Sequence, residues 1–184
     1  LFKAILKKQA YSITGKVDAT WQDILDALTF TSISFYVVPL INAVIRIGSM
    51  EEKELLFNAF IKGDELVVSK KRGAKGEIVP IAEEAARVAS NVKAKQAILR
   101  ESISEKMVLK ISKYDLLRNK ILLIRLEDED NFPSELNGLT AMYLAAKYKR
   151  PTLMLRCNSE GNYCGSARGL NDSALKDFKQ FLTD

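Results

Sequence analysis

The segment from Gly165 to Gly169 combines small residues with one hydroxyl and one guanidinium group, in the order Gly-Ser-Ala-Arg-Gly. Small side chains allow a ligand to approach the backbone N–H groups, and Ser166 adds a hydroxyl donor. Arg168 adds a planar fork of N–H donors that matches two oxygens of a phosphate group. The segment predicts a phosphate-binding loop. An ordinary turn with a solvated Arg168 is the alternative that these residues leave open.

A second candidate lies between Pro39 and Gly48, where Asn42 and Arg46 are the polar side chains of an otherwise apolar stretch. If this stretch is helical, the two residues are four apart and share a face, so that one anion could contact both. A buried polar pair needs partners. The alternative is therefore a structural ion pair between Arg46 and a carboxylate such as Glu51.

Two charged segments could also bind ligands. The segment from Lys70 to Gly76 carries four positive charges that could contact a nucleic-acid backbone, or could be a solvated linker; they belong to Lys70, Lys71, Arg72 and Lys75. The run from Glu127 to Asp130 could hold a hard cation. Four consecutive carboxylates cannot all point at one ion, however, and this favours a solvated turn.

The chain contains no histidine among its 184 residues. It therefore lacks the commonest general base and the commonest ligand of transition metals. Its two cysteines, Cys157 and Cys164, are too few for a disulfide framework or a four-ligand zinc site, and we expect reduced thiols.

Composition predicts a soluble, folded chain, with 47% hydrophobic and 28% charged residues. The net charge of +5 is compatible with a polyanionic partner. No stretch approaches about 18 uninterrupted apolar residues, so we expect no membrane contact and a cytoplasmic location. The first residue is Leu1 rather than Met, and we expect the chain to be a piece of a longer protein.

The first half of the chain is patterned mainly for helices. Apolar spacing and N-terminal polar residues predict them over Leu1–Ala10, from Thr20 to Leu28, from Ser49 to Gly63, and from Pro80 to about Ser102. A cluster of β-branched and aromatic residues from Thr29 to Val38 predicts a strand that Pro39 ends. Leu66–Ser69 predicts a further short strand, and Lys70–Gly76 a linker.

The second half alternates between strand and helix patterns. Strands are predicted over Met107–Ile111, Ile121–Leu126, Thr152–Arg156 and Tyr163–Ala167, and helices over Leu139–Lys149 and Ser173–Leu182. In the first of these helices we expect Leu139, Met142, Tyr143 and Ala146 to face the core. Strand, helix and strand in succession indicate a βαβ unit with parallel pairing. The predicted fold class is α/β, with a helical connector followed by a mixed β-sheet domain containing this βαβ unit.

Taken in order, these motifs resemble the C-terminal half of the RecJ-type single-strand-specific DNA exonucleases of the DHH phosphoesterase superfamily. The family's proline-arginine-isoleucine-asparagine-alanine-alanine-glycine-arginine signature is matched by Pro39, Ile41, Asn42, Ala43, Arg46 and Gly48. Its glycine-rich helix start, Arg-Pro pair and Gly-Ser-Gly-Arg-Ser loop correspond to Gly138, Arg150-Pro151 and Gly165–Arg168. Leu136-Asn137-Gly138 replaces the usual His-Pro-Gly, and Ala167 and Gly169 replace a glycine and a serine of the loop.

The resemblance implies a substrate-binding C-terminal portion of a metal-dependent 5′-to-3′ exonuclease. It implies single-stranded DNA as partner, with Gly138, Gly165, Ser166 and Arg168 as ligands and Asn42 and Arg46 as further ones. The Mn²⁺ or Mg²⁺ centre would belong to a catalytic domain of the same polypeptide, so that this chain alone would not cut DNA. The implied parts are 1–48, the end of the catalytic region; 49–104, a helical connector with the basic linker; and 105–184, the DHH-associated substrate-binding domain.

Two other functions remain compatible with the sequence. A DHH phosphoesterase acting on cyclic dinucleotides or short oligonucleotides would not need the basic segment at Lys70–Lys75. The absence of histidine is also compatible with a non-enzymatic module that binds nucleic acid or another protein.

Overall fold

The computed structural model describes residues 1–74, 76–170, 175 and 177–183. These residues form two compact units, Leu1–Ala97 and Ile98–Asp184. The division into 1–48, 49–104 and 105–184 stays a prediction.

The first unit consists of helices and one β-hairpin. Its elements are α1 (Phe2–Lys8), α2 (Ala10–Thr14), α3 (Trp21–Asp26), α4 (Phe30–Ser32), a π-helical turn (Ile33–Val37), α5 (Val38–Ile47), α6 (Met50–Ile61), β1 (Leu66–Val68), β2 (Ile78–Pro80) and the first part of α7 (Ile81–Lys113). Buried side chains of these helices form its core, among them Ile5, Leu6, Ile24, Val44 and Leu56.

Two predicted helix starts are confirmed by their caps. The Thr20 hydroxyl accepts a hydrogen bond from the Asp23 amide, and the Asp23 carboxylate accepts one from the Thr20 amide. Ser49 and Glu52 form the same reciprocal pair at the start of α6. Such capping boxes satisfy amides that a helix leaves without partners, so the sequence specifies these starts locally.

The strand predicted over Thr29–Val38 is wrong, because this segment is helical. Thr29 caps α4 by accepting a hydrogen bond from the Ser32 amide, and the π-helical turn continues into α5. The buried residues of this turn and of α5 recur at helical spacing, namely Val37, Leu40, Ala43 and Val44. Burial of one helical face thus outweighs the β-propensity of single residues.

The stretch Phe30–Ile47 has the length and mean hydropathy of a membrane-spanning helix, although its apolar residues are interrupted by Thr31, Ser32, Ser34, Asn42 and Arg46. Four of its residues are fully or almost fully buried in the core of the first unit. The rest of the stretch is half-buried or exposed, with Phe30 89% and Phe35 70% exposed.

The predicted linker Lys70–Gly76 connects the two strands of a hairpin within the first unit. β1 and β2 pair antiparallel, with Val67 opposite Val79. Positive φ angles at Gly73 and Gly76 explain why the loop uses glycine there.

The second unit contains a three-stranded mixed sheet with the order β3-β4-β5. Its elements are the end of α7, a 3₁₀ turn (Leu116–Arg118), β3 (Leu122–Leu126), two further 3₁₀ turns (Asp128–Asp130 and Ser134–Leu136), α8 (Asn137–Tyr148), β4 (Thr152–Cys157), β5 (Tyr163–Arg168) and α9 (Phe178–Thr183). β4 pairs parallel with β3 and antiparallel with β5. The predicted α/β class and the βαβ unit are confirmed.

Two predictions for the second unit are wrong. Met107–Ile111 belongs to α7, because Ile103, Met107 and Ile111 are buried at a spacing of four residues that forms one helical face. In α8 the buried residues are Asn137, Thr140, Ala141, Leu144 and Ala145, whereas Met142 and Tyr143 are exposed. Of the predicted terminal helix, residues 173, 174 and 176 lie outside the described residues.

A buried carboxylate attaches the hairpin to α7. Glu84 is 4% exposed, and it accepts hydrogen bonds from the Ser69 hydroxyl at 3.2 Å and the Lys70 amide at 3.0 Å. The Arg87 guanidinium donates to both of its oxygens, at 2.9 and 2.5 Å. The hydrogen bond from Arg87 is the main cause that lowers the pKa of Glu84 from 4.5 to about 2.

We predict that Glu84→Gln lowers the free energy of unfolding at pH 7 by about 3 kcal/mol, since each unit of pKa is worth roughly 1.4 kcal/mol. Because the folded carboxyl has the lower pKa, its contribution is present above about pH 4.5 and is lost as the pH falls towards 2. Urea denaturation at several pH values measures this, with the exposed neighbour in Glu83→Gln as control. Equal stabilities of the two variants at pH 7 would contradict it.

Candidate phosphate-binding site

Ser166 and Arg168 lie on an edge strand of the sheet. The predicted strand over Tyr163–Ala167 is confirmed and extends to Arg168, opposite Thr152. The segment predicted as a phosphate-binding loop is therefore extended backbone. Because strand side chains alternate, Ser166 and Arg168 share one face of the sheet.

Gly138, in the first turn of α8, lies directly against these two side chains. A Cβ atom at residue 138 would be 2.6 Å from Nη2 of Arg168, and 3.6 Å from both Cζ of Arg168 and Oγ of Ser166. The missing side chain thus leaves the space that the guanidinium occupies. The structure brings three predicted ligands, Gly138, Ser166 and Arg168, to one place.

Gly165, the fourth residue of this predicted set, has a structural role in the sheet. A Cβ atom there would overlap the carbonyl oxygen of Met154 and lie 3.0 Å from Cα of Leu155. Those are backbone atoms of the neighbouring strand, which cannot move aside as a flexible side chain can. Glycine is therefore required for the approach of β5 to β4.

The Arg168 side chain is exposed. Its Nη1 donates to the carbonyl of Ala167 at 2.7 Å, and no carboxylate among the described residues forms an ion pair with it. The other arginines of this unit's motifs are used differently: Arg150 donates to the carbonyls of Leu117 and Asn119, and Arg156 to that of Phe132 at 2.6 Å. Arg168 is thus free to bind an anion.

The start of α8 adds further polar groups. The N-cap residue Leu136 provides no side-chain hydrogen bond to this 12-residue helix. The side-chain Nδ2 of Asn137 donates to the Met154 carbonyl at 3.4 Å, while Oδ1 of Asn137 and Oγ1 of Thr140 are buried without a partner within the described part of the chain. The backbone amide of Asn137 donates to the Ser134 carbonyl of the preceding 3₁₀ turn, and the helix dipole favours an anion at such a helix start.

Sequence reasoning missed Asn137 and Thr140, because their significance depends on burial rather than on residue type. The only sequence signal was their position around the glycine of a predicted helix start. Leu136, which stands where the resembled family has histidine, is fully buried. It is a core residue and makes no ligand contact.

Asn42 and Arg46 lie in the first unit, four residues apart on α5 as predicted. Both are exposed, because the buried face of α5 carries Ala43 and Val44 instead. The expectation of a polar pair enclosed by apolar residues is therefore wrong. Their role as further ligands stays a prediction.

In the basic hairpin loop, some of the positively charged side chains form ion pairs and others do not. Lys70 pairs with Glu51 at 3.6 Å, whereas Lys71 and Arg72 are exposed and form no ion pair with any described residue. Lys75 lies outside the described residues. Contact of these four residues with a nucleic-acid backbone stays a prediction.

The acidic run Glu127–Asp130 forms a 3₁₀ turn that is held by its last carboxylate. Asp130 accepts hydrogen bonds from Lys110 at 2.5 Å and from the Glu127 amide at 2.8 Å. Burial raises the pKa of Asp130, but these hydrogen bonds outweigh it and the net shift is downward. No group of three or more Asp, Glu or Cys side chains among the described residues could hold a metal ion.

The chain has relatives over its whole length. It is 36% identical over 188 aligned residues to the protein named "Putative SPbeta prophage-derived single-strand DNA-specific exonuclease YorK" of Bacillus subtilis strain 168. It is equally similar to "Putative single-strand DNA-specific exonuclease yorK" of Bacillus phage SPbeta. The alignment covers 100% of this chain and 30% of each relative. No protein-family model matches the chain.

We predict that Gly165→Ala and Gly138→Ala differ in their effect on stability. The first forces backbone atoms apart and should cost roughly 2–3 kcal/mol of unfolding free energy. The second displaces only an exposed arginine and improves helix propensity by about 0.5–1 kcal/mol, so its net effect should be small. Urea denaturation followed by circular dichroism measures both. A loss at residue 138 as large as that at residue 165 would contradict the geometry described.

Proposed function

We propose that the chain is the substrate-binding portion of a RecJ-type single-strand DNA-specific exonuclease, because it is 36% identical to 30% of two relatives whose names describe them as single-strand DNA-specific exonucleases. The whole protein would hydrolyse phosphodiester bonds of single-stranded DNA, with 5′-to-3′ polarity. The observation that carries the proposal is the convergence of Arg168, Ser166 and the start of α8 around Gly138.

These groups are suited to one phosphate of the DNA backbone. The guanidinium fork donates two parallel hydrogen bonds to phosphate oxygens, and the Ser166 hydroxyl and the first amides of α8 add neutral donors. All of these groups recognise a phosphodiester and none distinguishes one base from another. Binding would therefore be independent of the DNA sequence.

Hydrolysis itself would take place elsewhere in the same polypeptide. The resembled family uses Mn²⁺ or Mg²⁺, and the described residues of this chain offer no set of ligands for such an ion. We therefore assign the metal to a catalytic domain outside the aligned 30% of the relatives. A cytoplasmic role in DNA repair or recombination would be consistent with this substrate.

We predict that Arg168→Ala lowers the affinity of the chain for single-stranded oligonucleotides of any sequence by about tenfold or more, because a charge-assisted hydrogen bond is worth roughly 1.5–3 kcal/mol. The slope of log K against log salt should become shallower by about 0.7, which corresponds to one phosphate. Fluorescence anisotropy with labelled oligonucleotides at several salt concentrations measures both quantities.

Arg118→Ala is the matched control, since Arg118 is an exposed arginine of the same unit with no ion pair among the described residues. Gly138→Ala gives a second test. Its methyl group would occupy the position of the Arg168 guanidinium, so we expect the affinity for single-stranded oligonucleotides to fall in this variant as well. Affinity that is lost for some sequences only, or equally in the control, would contradict a phosphate contact at Arg168.

We also predict that the purified chain releases no nucleotides from labelled single-stranded DNA in the presence of Mn²⁺ or Mg²⁺. Its lack of histidine and of a described carboxylate cluster is the reason. Activity that a chelator abolishes and that follows the chain through successive purification steps would refute this.

A further inference from the structure

A cleft of about 400 Å³ lies within the first unit, between the end of α1, the hairpin and the start of α7. Three lysines line it, Lys7 and Lys8 from α1 and Lys71 from the hairpin loop. We propose that this cleft is a second nucleotide-binding site, in which these lysines contact the phosphodiester backbone of single-stranded DNA. The inference rests on the proposed function; of its three lysines, the sequence analysis indicated only Lys71, and the cleft adds Lys7 and Lys8.

The positive charges of this cleft are available to a ligand. Lys7, Lys8 and Lys71 are exposed, and none forms an ion pair with a carboxylate among residues 1–74, 76–170, 175 and 177–183. The neighbouring Lys70 differs, since its ammonium lies 3.6 Å from Glu51. An exposed lysine without a partner loses little on binding a phosphate, and the release of condensed counterions from the DNA favours the complex.

The position of Lys71 is fixed by the buried network below it. Its backbone amide donates to the Ser69 hydroxyl at 3.2 Å, and that hydroxyl donates to Glu84. Arg87 neutralises Glu84, so that this carboxylate does not compete for the lysines. The network therefore holds the backbone of Lys71 at the cleft before any ligand binds, while its side chain stays free to reach a phosphate.

The remaining polar groups of the cleft indicate what else the ligand carries. Glu77 and Glu83 also line it, and carboxylates accept hydrogen bonds but repel phosphate. A nucleotide unit satisfies both requirements, because its phosphate can contact the lysines while N–H groups of its base donate to the carboxylates. The volume lies near the lower limit of ligand pockets, as expected for one nucleotide.

A purely structural explanation exists for two of the lysines. Lys7 and Lys8 lie in the last turn of α1, where cations stabilise the helix dipole. That explanation predicts an effect of their removal on stability but none on DNA binding. It also does not apply to Lys71, which lies in a loop.

The test compares two triple variants of the whole chain. Lys7, Lys8 and Lys71 are replaced by alanine in the first, and Lys53, Lys106 and Lys120 in the second, which removes the same charge outside the cleft. We expect the first variant to bind a labelled 15-nucleotide single strand of mixed sequence about tenfold more weakly, with a salt slope shallower by roughly 2, since each phosphate contributes about 0.7. The second should differ from the unaltered chain by less than threefold. Equal losses in both variants would overturn the proposal, because general charge would then explain them.

Lysine acetylation of the unaltered chain, read by mass spectrometry with and without the oligonucleotide, tests the site without any substitution. We expect protection of Lys7, Lys8 and Lys71 but not of the three control lysines; equal acetylation with and without DNA would overturn the proposal.

Arg168→Ala, measured in the same series, separates this inference from the proposed function. If that variant binds weakly while the cleft variant binds normally, the cleft proposal is wrong and the proposed function stands. If the cleft variant alone binds weakly, the cleft proposal stands and the contact at Arg168 is wrong.

Discussion

The close approach of β5 to the first turn of α8 is the constraint on which the candidate site depends. It requires that residue 138 have no side chain, because a Cβ atom there would be 2.6 Å from the Arg168 guanidinium. It also requires glycine at residue 165, where backbone meets backbone between β5 and β4. Gly138 thus makes room for the Arg168 guanidinium, and Gly165 allows β5, the strand that carries Arg168, to pair with β4. A polar helix start and an arginine become one site because both conditions are met.

Local signals in the sequence were sufficient for much of this architecture. The caps at Thr20 and Ser49 depend on hydrogen bonds within four residues, and such pairs are recognisable without knowledge of the fold. The βαβ unit followed from the order of two apolar strands around a helical pattern. The convergence of Gly138 with Ser166 and Arg168 was predicted through the resemblance to a family, since nothing in their spacing alone requires contact.

The wrong predictions arose where tertiary packing decides between two local preferences. β-Branched residues at 29–38 favour a strand, yet a buried helical face that includes Val37 and Val44 made the segment helical. Periodicity also left the inward face of α8 ambiguous, because the large side chains of Met142 and Tyr143 recur at helical spacing like those of a core face, yet smaller residues, two of them polar, are the buried ones. The cleft formed by Lys7, Lys8 and Lys71 depends on contact between segments far apart in the chain, which a single sequence does not reveal.

The central claim is that the Arg168 guanidinium and the start of α8 bind one backbone phosphate together. An NMR titration of the isotopically labelled chain with oligo(dT) tests it most directly, because the Nε–H group of Arg168 and the amides of Gly138 and Leu139 each report on their own surroundings. We expect these three resonances to shift together, with a single dissociation constant that increases with salt. If the three resonances remain unchanged while the chain is saturated with DNA, Arg168 and the start of α8 do not bind a phosphate together.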